Sequence, residues 1–477
     1  MSKHIKISSF SFIMVLPLLL THLPAYGVGF TVGKLYYYSE STSEPYCASV
    51  SVDWDFRETI ESIVIPETIT YSGITYTVTQ IRNGGFSRCP RLERVDIPKS
   101  VTEIGERAWF YSPSLKKINV NPGNPKYSSV DGIVYDKDLT VLLSAPGGIT
   151  SAVIPETVTK IGNRAFSQCE NLESVCLPSS LKEIGTDAFE FCKSLREIDI
   201  PAWVNYIGDF AFFGCESLQR VSLPEMLEKI SDRCFMNCRS LESVEIPERV
   251  REIEFDAFSF CDRLKRVSIP STTEIIEVGT FNGCPELSDL IVDEGNPSYC
   301  SIDGMLLSKD RKYLVSFPSA KNFVVPEYVD TLGYLSLAYS NVSSVTLLPS
   351  LKVVCASAFL NCLKLRSVSC YSLIPPEVIG YRLLTDDGIE PLNCIVYVPA
   401  EAYDLYKTAT GWEDTYLKPV ENLGVEDVLV EGKHSQIYVY TLDGTHVLTT
   451  TEREQIQSLP KGIYIVRYGD KTEKIVI

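Results

Sequence analysis

The sequence predicts a repeat solenoid: a right-handed coil of short parallel strands with brief helical turns, followed by a small C-terminal all-β domain. Three observations carry this. Proline recurs every 23 residues at Pro155, Pro178, Pro201, Pro224, Pro247 and Pro270, and Pro326 to Pro349 repeats the step. A Phe-x-x-Cys pair keeps the same period through Phe166/Cys169, Phe189/Cys192, Phe212/Cys215, Phe235/Cys238 and Phe258/Cys261, with further copies at Phe86/Cys89, Phe281/Cys284 and Phe359/Cys362. From about Gly424 the period stops and short apolar runs alternate with Asp-Gly and Lys-Gly. A fixed period of this length marks a stacked array. Stacked coils offer long exposed surfaces rather than one deep pocket.

The first 27 residues read as a secretion signal. Lys3 and Lys6 give a basic start, Phe10 to Leu20 a short apolar stretch, and Ala25-Tyr26-Gly27 small residues for cleavage. Residues 28–65 are expected to form an N-terminal β cap, and 66–422 the solenoid. In the unit Leu181 to Pro201, Leu181, Ile184, Ala188, Phe189, Leu195, Ile198 and Ile200 are apolar. Each position is one column of the stack. Ile198-Asp199-Ile200 alternates as a half-buried strand should. The following proline has no N–H to give a ladder and ends the pairing. The Ala-Phe-x-x-Cys-x-x-Leu stretch suits one or two helical turns, and a coil this short should rise about 4.8 Å per repeat.

Two steps are stretched by similar inserts, near 121–150 and 293–322. Asn124-Pro125-Lys126-Tyr127 runs on to Asp131-Gly132, and Asn296-Pro297-Ser298-Tyr299 to Asp303-Gly304. Asp-Gly between apolar residues signals a hairpin turn, so these should project as hairpins from the coil. Ile437 to Tyr440, His446 to Leu448 and Ile463 to Val466 read as strands of a small sandwich spanning 424–477.

The columns resemble the BspA-like (Treponema pallidum-type) leucine-rich repeats, whose pattern is clearest from Ile154-Pro155 to Val175. Trp109 and Ser112 stand where Phe and Cys belong, and the unit around Leu332-Gly333 lacks the pair. The tail, with its Leu459-Pro460-Lys461-Gly462-Ile463-Tyr464 run, resembles the C-terminal sorting domain of type IX secretion in Bacteroidota. These resemblances imply an exported protein at the cell surface or outside the cell. They also imply adhesion to host matrix proteins or to other cells.

Acidic residues number 61 against 44 basic ones, a net charge of −17, which argues against nucleic acid or an anionic membrane as partner. Only four histidines occur, and none lies between Val28 and Lys433. That removes Ser-His-Asp and Cys-His catalysis, and His-ligated zinc, from the solenoid. No enzyme activity, metal or cofactor is expected. Asp131, Asp136 and Asp138 are the only calcium candidate worth naming, and the second insert does not repeat the set. Of the 15 cysteines, those in register should form a buried thiol ladder, since free Cys buries readily. Cys47, Cys300, Cys370 and Cys394 fall outside the register and are the better disulfide candidates.

The polar positions of the strands supply the candidate binding face: Glu197 and Asp199, Arg220 and Ser222, Ser243 and Glu245, Arg266 and Ser268. One reading is a protein-binding surface of mixed charge, too poor in aromatics to be a carbohydrate platform. The other is a solvated sheet with ladder pairs such as Glu197–Arg220 and Arg266–Asp289, belonging to an extracellular scaffold without a dedicated ligand.

Overall fold

One coil shows how the columns become structure. The strand Glu197–Asp199 points Ile198 inward and leaves its neighbours exposed. Pro201 then opens a tight turn, its carbonyl accepting from the Val204 N–H at 3.0 Å. A two-residue strand, Tyr206–Ile207, follows. The Ala211-Phe212 stretch closes the coil as separate turns, with Cys215 N–H to Phe212 C=O and Leu218 N–H to Cys215 C=O. The next coil repeats this, and strands pair in parallel and in register, Glu197 with Arg220 and Ile184 with Ile207. The structure, a computed structural model, describes residues 27–41, 43–380, 383–384, 394–412, 415–420, 437–441, 445–450, 456, 459–468 and 471–476. Most of the expected secretion signal lies outside them.

The expected helical turns never join into a helix. Each Ala-Phe stretch carries two left-handed residues four apart: Arg164 and Gln168, Asp187 and Phe191, Phe210 and Gly214, Arg233 and Asn237, Asp256 and Phe260, Gly279 and Gly283. Left-handed backbone breaks α-helical continuation. It also turns alternate N–H groups toward the next coil. Phe189 N–H thus donates to Ala211 C=O at 2.7 Å, Asp187 to Asp209 at 2.9 Å and Phe191 to Phe213 at 2.7 Å. This makes a third ladder, on what we call the turn face, beside the two strand ladders. Among the described residues the one α-helix is Tyr403–Thr408.

Inside, the rings of Phe166, Phe189, Phe212, Phe235, Phe258 and Phe281 stack nearly parallel with centroids 4.9–6.0 Å apart. All six are fully buried. The cysteine column has a hydrogen-bonding role. Cys192, Cys215, Cys238 and Cys261 each aim an S–H at the phenylalanine carbonyl of the coil before, at 3.2–3.3 Å. Cys169 follows an insert and turns to the Pro146 carbonyl at 3.7 Å instead. Of the two apparent exceptions, the first obeys the same rule. Ser112 Oγ donates to Phe86 C=O at 3.0 Å, and Leu337 and Ser340 occupy the columns of the unit lacking Phe and Cys. Every described cysteine is a free thiol, the four disulfide candidates Cys47, Cys300, Cys370 and Cys394 included. Cys370 and Cys394 are simply buried in the last core cluster.

The inserts do not project. Tyr127–Val130 and Ile133–Asp136 form an antiparallel hairpin, and Val141–Ser144 extends it before joining the short-strand ladder at Lys160–Ile161. Tyr299–Ile302, Met305–Ser308 and Tyr313–Ser316 repeat the arrangement. The middle strand is too apolar to face water: Ile133, Val134 and Tyr135 are buried, as are Met305, Leu306 and Leu307. Each insert is a septum. The core falls into three clusters that meet at Ile133/Val134 and at Met305/Leu306. A fully buried asparagine anchors each one. Asn124 Nδ2 donates to Pro98 and Val101 C=O while its Oδ1 accepts from Lys126 and Tyr127 N–H, and Asn296 does the same with Pro270, Thr273, Ser298 and Tyr299.

At the N-terminal end Gly29–Val32, Leu35–Ser39 and Cys47–Val52 form an antiparallel meander that pairs in parallel with Ile74–Ile81. The tail's described residues form one four-stranded antiparallel sheet from Ile437–Thr441, His446–Thr450, Ile463–Tyr468 and Lys471–Val476, where a two-layer sandwich was expected.

Candidate binding faces

The eight strand-face residues lie where their alternation puts them. Glu197, Asp199, Arg220, Ser222, Ser243, Glu245 and Arg266 are exposed and Ser268 is half-buried. Arg220 donates to Glu197 at 3.0 Å, and Arg266 stands 3.4 Å from Asp289. Both pairs are more than half exposed, so each contributes at most about 1 kcal/mol. Asp199 and Glu245 take no part in an ion pair among the described residues. The surface is a regular ladder of charges and hydroxyls.

Burial keeps several thiols of the cysteine column from being primed for chemistry. Burial pushes the Cys169 thiol up to about 12 and the Cys89 and Cys362 thiols to about 11, so they stay protonated at neutral pH. The calcium candidate dissolves as well. The Asp136 carboxylate caps its own turn, accepting from the Thr140 and Val141 N–H groups and the Thr140 hydroxyl. Among the described residues no cluster of His, Cys, Asp or Glu is arranged to hold a metal ion.

The turn face carries what the strand face lacks. Phe191 and Phe210 pack on Phe213 at 5.0 and 5.8 Å, and Arg233 lies over Phe210 and Phe255 at 5.4 and 4.7 Å. Arg233 also pairs with Asp232 at 3.2 Å and Asp256 at 3.6 Å. Burial raises the Asp256 carboxyl to about 6 against the pull of that guanidinium. None of these positions has a repeat consensus, so the sequence period gave no reason to single them out.

At the first insert the turn face opens. The hairpin replaces the next turn segment, leaving a cleft of about 330 Å³ bordered by Arg107, Trp109, Tyr111, Ser144, Arg164 and Gln168. Trp109 donates its indole N–H to Ser144 Oγ at 2.8 Å, and Arg164 reaches Glu106 across the junction at 3.5 Å. Two further hollows, of about 560 and 350 Å³, continue from it past Arg88 and Trp54 to Arg82 and Tyr36.

Comparison with known proteins agrees with this architecture. The family model described as the BspA type leucine-rich repeat region matches in six copies over residues 57–129, 145–238, 186–299 and 308–378. A leucine-rich repeat protein from Eubacterium ventriosum is similar at 19% identity, with 56% of this chain and 92% of that one covered and a TM-score of 0.40. For a leucine-rich cell surface protein from Faecalibacterium prausnitzii the values are 22%, 83%, 95% and 0.39. For the T. pallidum leucine-rich repeat protein they are 23%, 53%, 88% and 0.27. No curated protein matches.

Proposed function

Because the chain belongs to the BspA type leucine-rich repeat family, we propose that it is an exported surface protein that binds a protein partner, on host matrix or another cell, through the strand face. The observation that supports this is the pair of columns from Glu197 to Ser268, in register between Glu197–Asp199 and Arg220–Ser222 and again between Ser243–Glu245 and Arg266–Ser268, which presents charges and hydroxyls to solvent. A preorganised surface loses little entropy when a partner docks. Opposed charges along it select partners more than they add affinity.

The test is saturable binding of the purified chain to matrix proteins and to intact cells. Reversing Glu197, Arg220, Glu245 and Arg266 together should abolish it while leaving the fold unchanged by circular dichroism. Adhesion that never saturates would favour a scaffold without a dedicated ligand.

The export reading rests on residues 1–27 and on the Leu459–Tyr464 run, where Tyr464 OH donates back to Pro460 C=O at 2.8 Å at the mouth of a strand. Removing residues 424–477 should leave a folded solenoid held inside the cell envelope. Normal surface display of that truncated chain would remove the sorting role. No helix among the described residues is long and apolar enough to cross a membrane.

A further inference from the structure

The turn face of the N-terminal coils departs from the regular array at the first insert. In regular coils the turn-face N–H groups donate to the next coil. At the first insert that coil is displaced, and the N–H groups of Arg107, Trp109 and Tyr111 meet no acceptor among the described residues. Arg107 and Tyr111 are left-handed, with φ of +53° and +55°. Left-handed backbone at these two positions turns the alternate N–H groups of Arg107, Trp109 and Tyr111 to one side, as in the regular coils, and a row of N–H groups without acceptors attracts an anion. These three residues all border the 330 Å³ cleft.

Charge agrees with backbone. The two hollows that continue the cleft are lined by Arg57, Arg82, Arg88, Arg107 and Arg164 against only Asp53 and Glu106. In a chain of net charge −17 this is a local reversal of sign. Of the five, only Arg164 is ion-paired among the described residues. Three guanidinium groups rest on aromatic rings: Arg57 on Trp54 at 5.4 Å, Arg82 on Tyr38 at 5.3 Å and Arg107 on Phe110 at 5.1 Å. Stacking of this kind fixes the plane of the fork; Arg57 already donates to the Ser87 carbonyl, while Arg82 and Arg107 keep their N–H edges for a carboxylate or sulfate.

We propose that this groove binds an acidic polysaccharide, its anionic groups held by the arginine forks and the N–H row, its sugar rings against Trp54 and Tyr111. Those two rings are 75% and 48% exposed, and the apolar face of a sugar packs on such surfaces. An acidic peptide fits less well. The Gly84, Phe86 and Arg88 N–H groups already donate to the next coil, so a peptide would find an open edge only along the short Arg107, Trp109 and Tyr111 row and none along the two hollows that continue it.

Titration calorimetry of the purified chain tests this with four probes: a sulfated oligosaccharide, an oligogalacturonate, poly-glutamate and uncharged dextran. At least one acidic sugar should bind, dextran should not, and affinity should fall with added salt. The sulfated and carboxylated probes show which anion is preferred. Arg88→Ala with Arg107→Ala, both at exposed positions, should weaken sugar binding about tenfold or more. Trp54→Ala should weaken the sugars and leave any poly-glutamate binding unchanged. Arg220→Ala with Arg266→Ala on the strand face should change nothing. The proposal is overturned if neither acidic sugar binds or if the double arginine variant binds normally. Tighter binding of poly-glutamate, indifferent to Trp54→Ala, would overturn it in favour of an acidic peptide.

Discussion

The two inserts solve the same problem with the same backbone and diverge in two side chains. Both pin themselves with a buried asparagine and both bury the middle strand of a hairpin. In the first, Trp109 reaches Ser144, and Tyr135 fills the buried strand. In the second, Phe281, Ser316 and Leu307 stand at the matching places. Phenylalanine has no N–H to give, and the Ser316 hydroxyl is left buried without a partner. In the first insert the orphan is the Tyr135 hydroxyl instead. The second junction is bridged by Tyr339, whose ring meets Phe260 edge-on at 4.8 Å, whereas the first is crossed by the Arg164–Glu106 ion pair and keeps its cleft. A septum's backbone is therefore set by its turn residues and its asparagine. Whether it also makes a site depends on side chains the repeat does not constrain.

The largest effect should come from the array between the septa. Phe212→Ala removes one ring from the stack and should cost about 3–5 kcal/mol, as aromatic core truncations do. Coils contact mainly their neighbours, so the opening should be local. If the inserts are true septa, hydrogen exchange should quicken around 189–235 and stay unchanged before residue 120 and after residue 323. Loss of protection across either insert would break the division of the core into three.

Asn124→Ala and Asn296→Ala come next. Each leaves two carbonyls and two N–H groups without their partner; those that stay buried cost about 1–3 kcal/mol each, while the N–H of exposed Lys126, like that of half-buried Ser298, can turn to water. The two substitutions should cost the same, about 3 kcal/mol, in urea unfolding. A difference above about 1 kcal/mol would show that the inserts are anchored differently despite identical hydrogen bonds.

Asp256 offers a pH-dependent control on the turn face, away from both inserts. Its folded carboxyl titrates at about 6, above the ordinary value, because burial disfavours the charge. The folded state therefore holds the proton more tightly. This contribution is fully present below about pH 4 and is lost as pH rises through about 6. Asp256→Asn should stabilise the array by about 2 kcal/mol at pH 7 and have little effect at pH 3.5. A gain that is the same at both pH values would mean the carboxyl is not titrating in this window.

Much of the fold was legible, and the reasons differ by element. The Phe and Cys columns, the two strand ladders and the inserts' positions follow from the 23-residue step, because translation puts each residue against its own copy. The cysteines' role as donors was half-visible: Ser112 and Ser340 stand in the same column and share only a hydrogen-bonding group with Cys. The third ladder was hidden because its left-handed positions hold Arg, Asp, Phe and Asn in most coils. Gly214, Gly279 and Gly283 in that register were the available sign. The inserts were misread as projecting because Asp-Gly marks a hairpin without saying which face is wet. Ile133-Val134-Tyr135 and Met305-Leu306-Leu307 were apolar enough to say it. The arginine groove had no sequence signal, since Arg57, Arg82, Arg88 and Arg107 come from coils that are adjacent only after folding.

The smallest expected effect separates the two septa most cleanly. Ser144→Ala leaves the Trp109 indole N–H buried without its acceptor and should cost about 1–2 kcal/mol. Ser316→Ala, at the matching place, removes a hydroxyl that already has no partner and should be neutral or stabilising by up to about 1 kcal/mol. The same substitution thus changes its effect between two sites of matching strand pairing, because the deciding residue is Trp109 in one and Phe281 in the other. Trp109→Phe should convert the first site into the second: in that background Ser144→Ala should no longer cost anything, giving a coupling of about 1 kcal/mol in the double-mutant cycle. Equal costs for Ser144→Ala and Ser316→Ala, measured by chemical denaturation, would mean that Ser316 has a partner after all and that the septa differ less than their side chains imply.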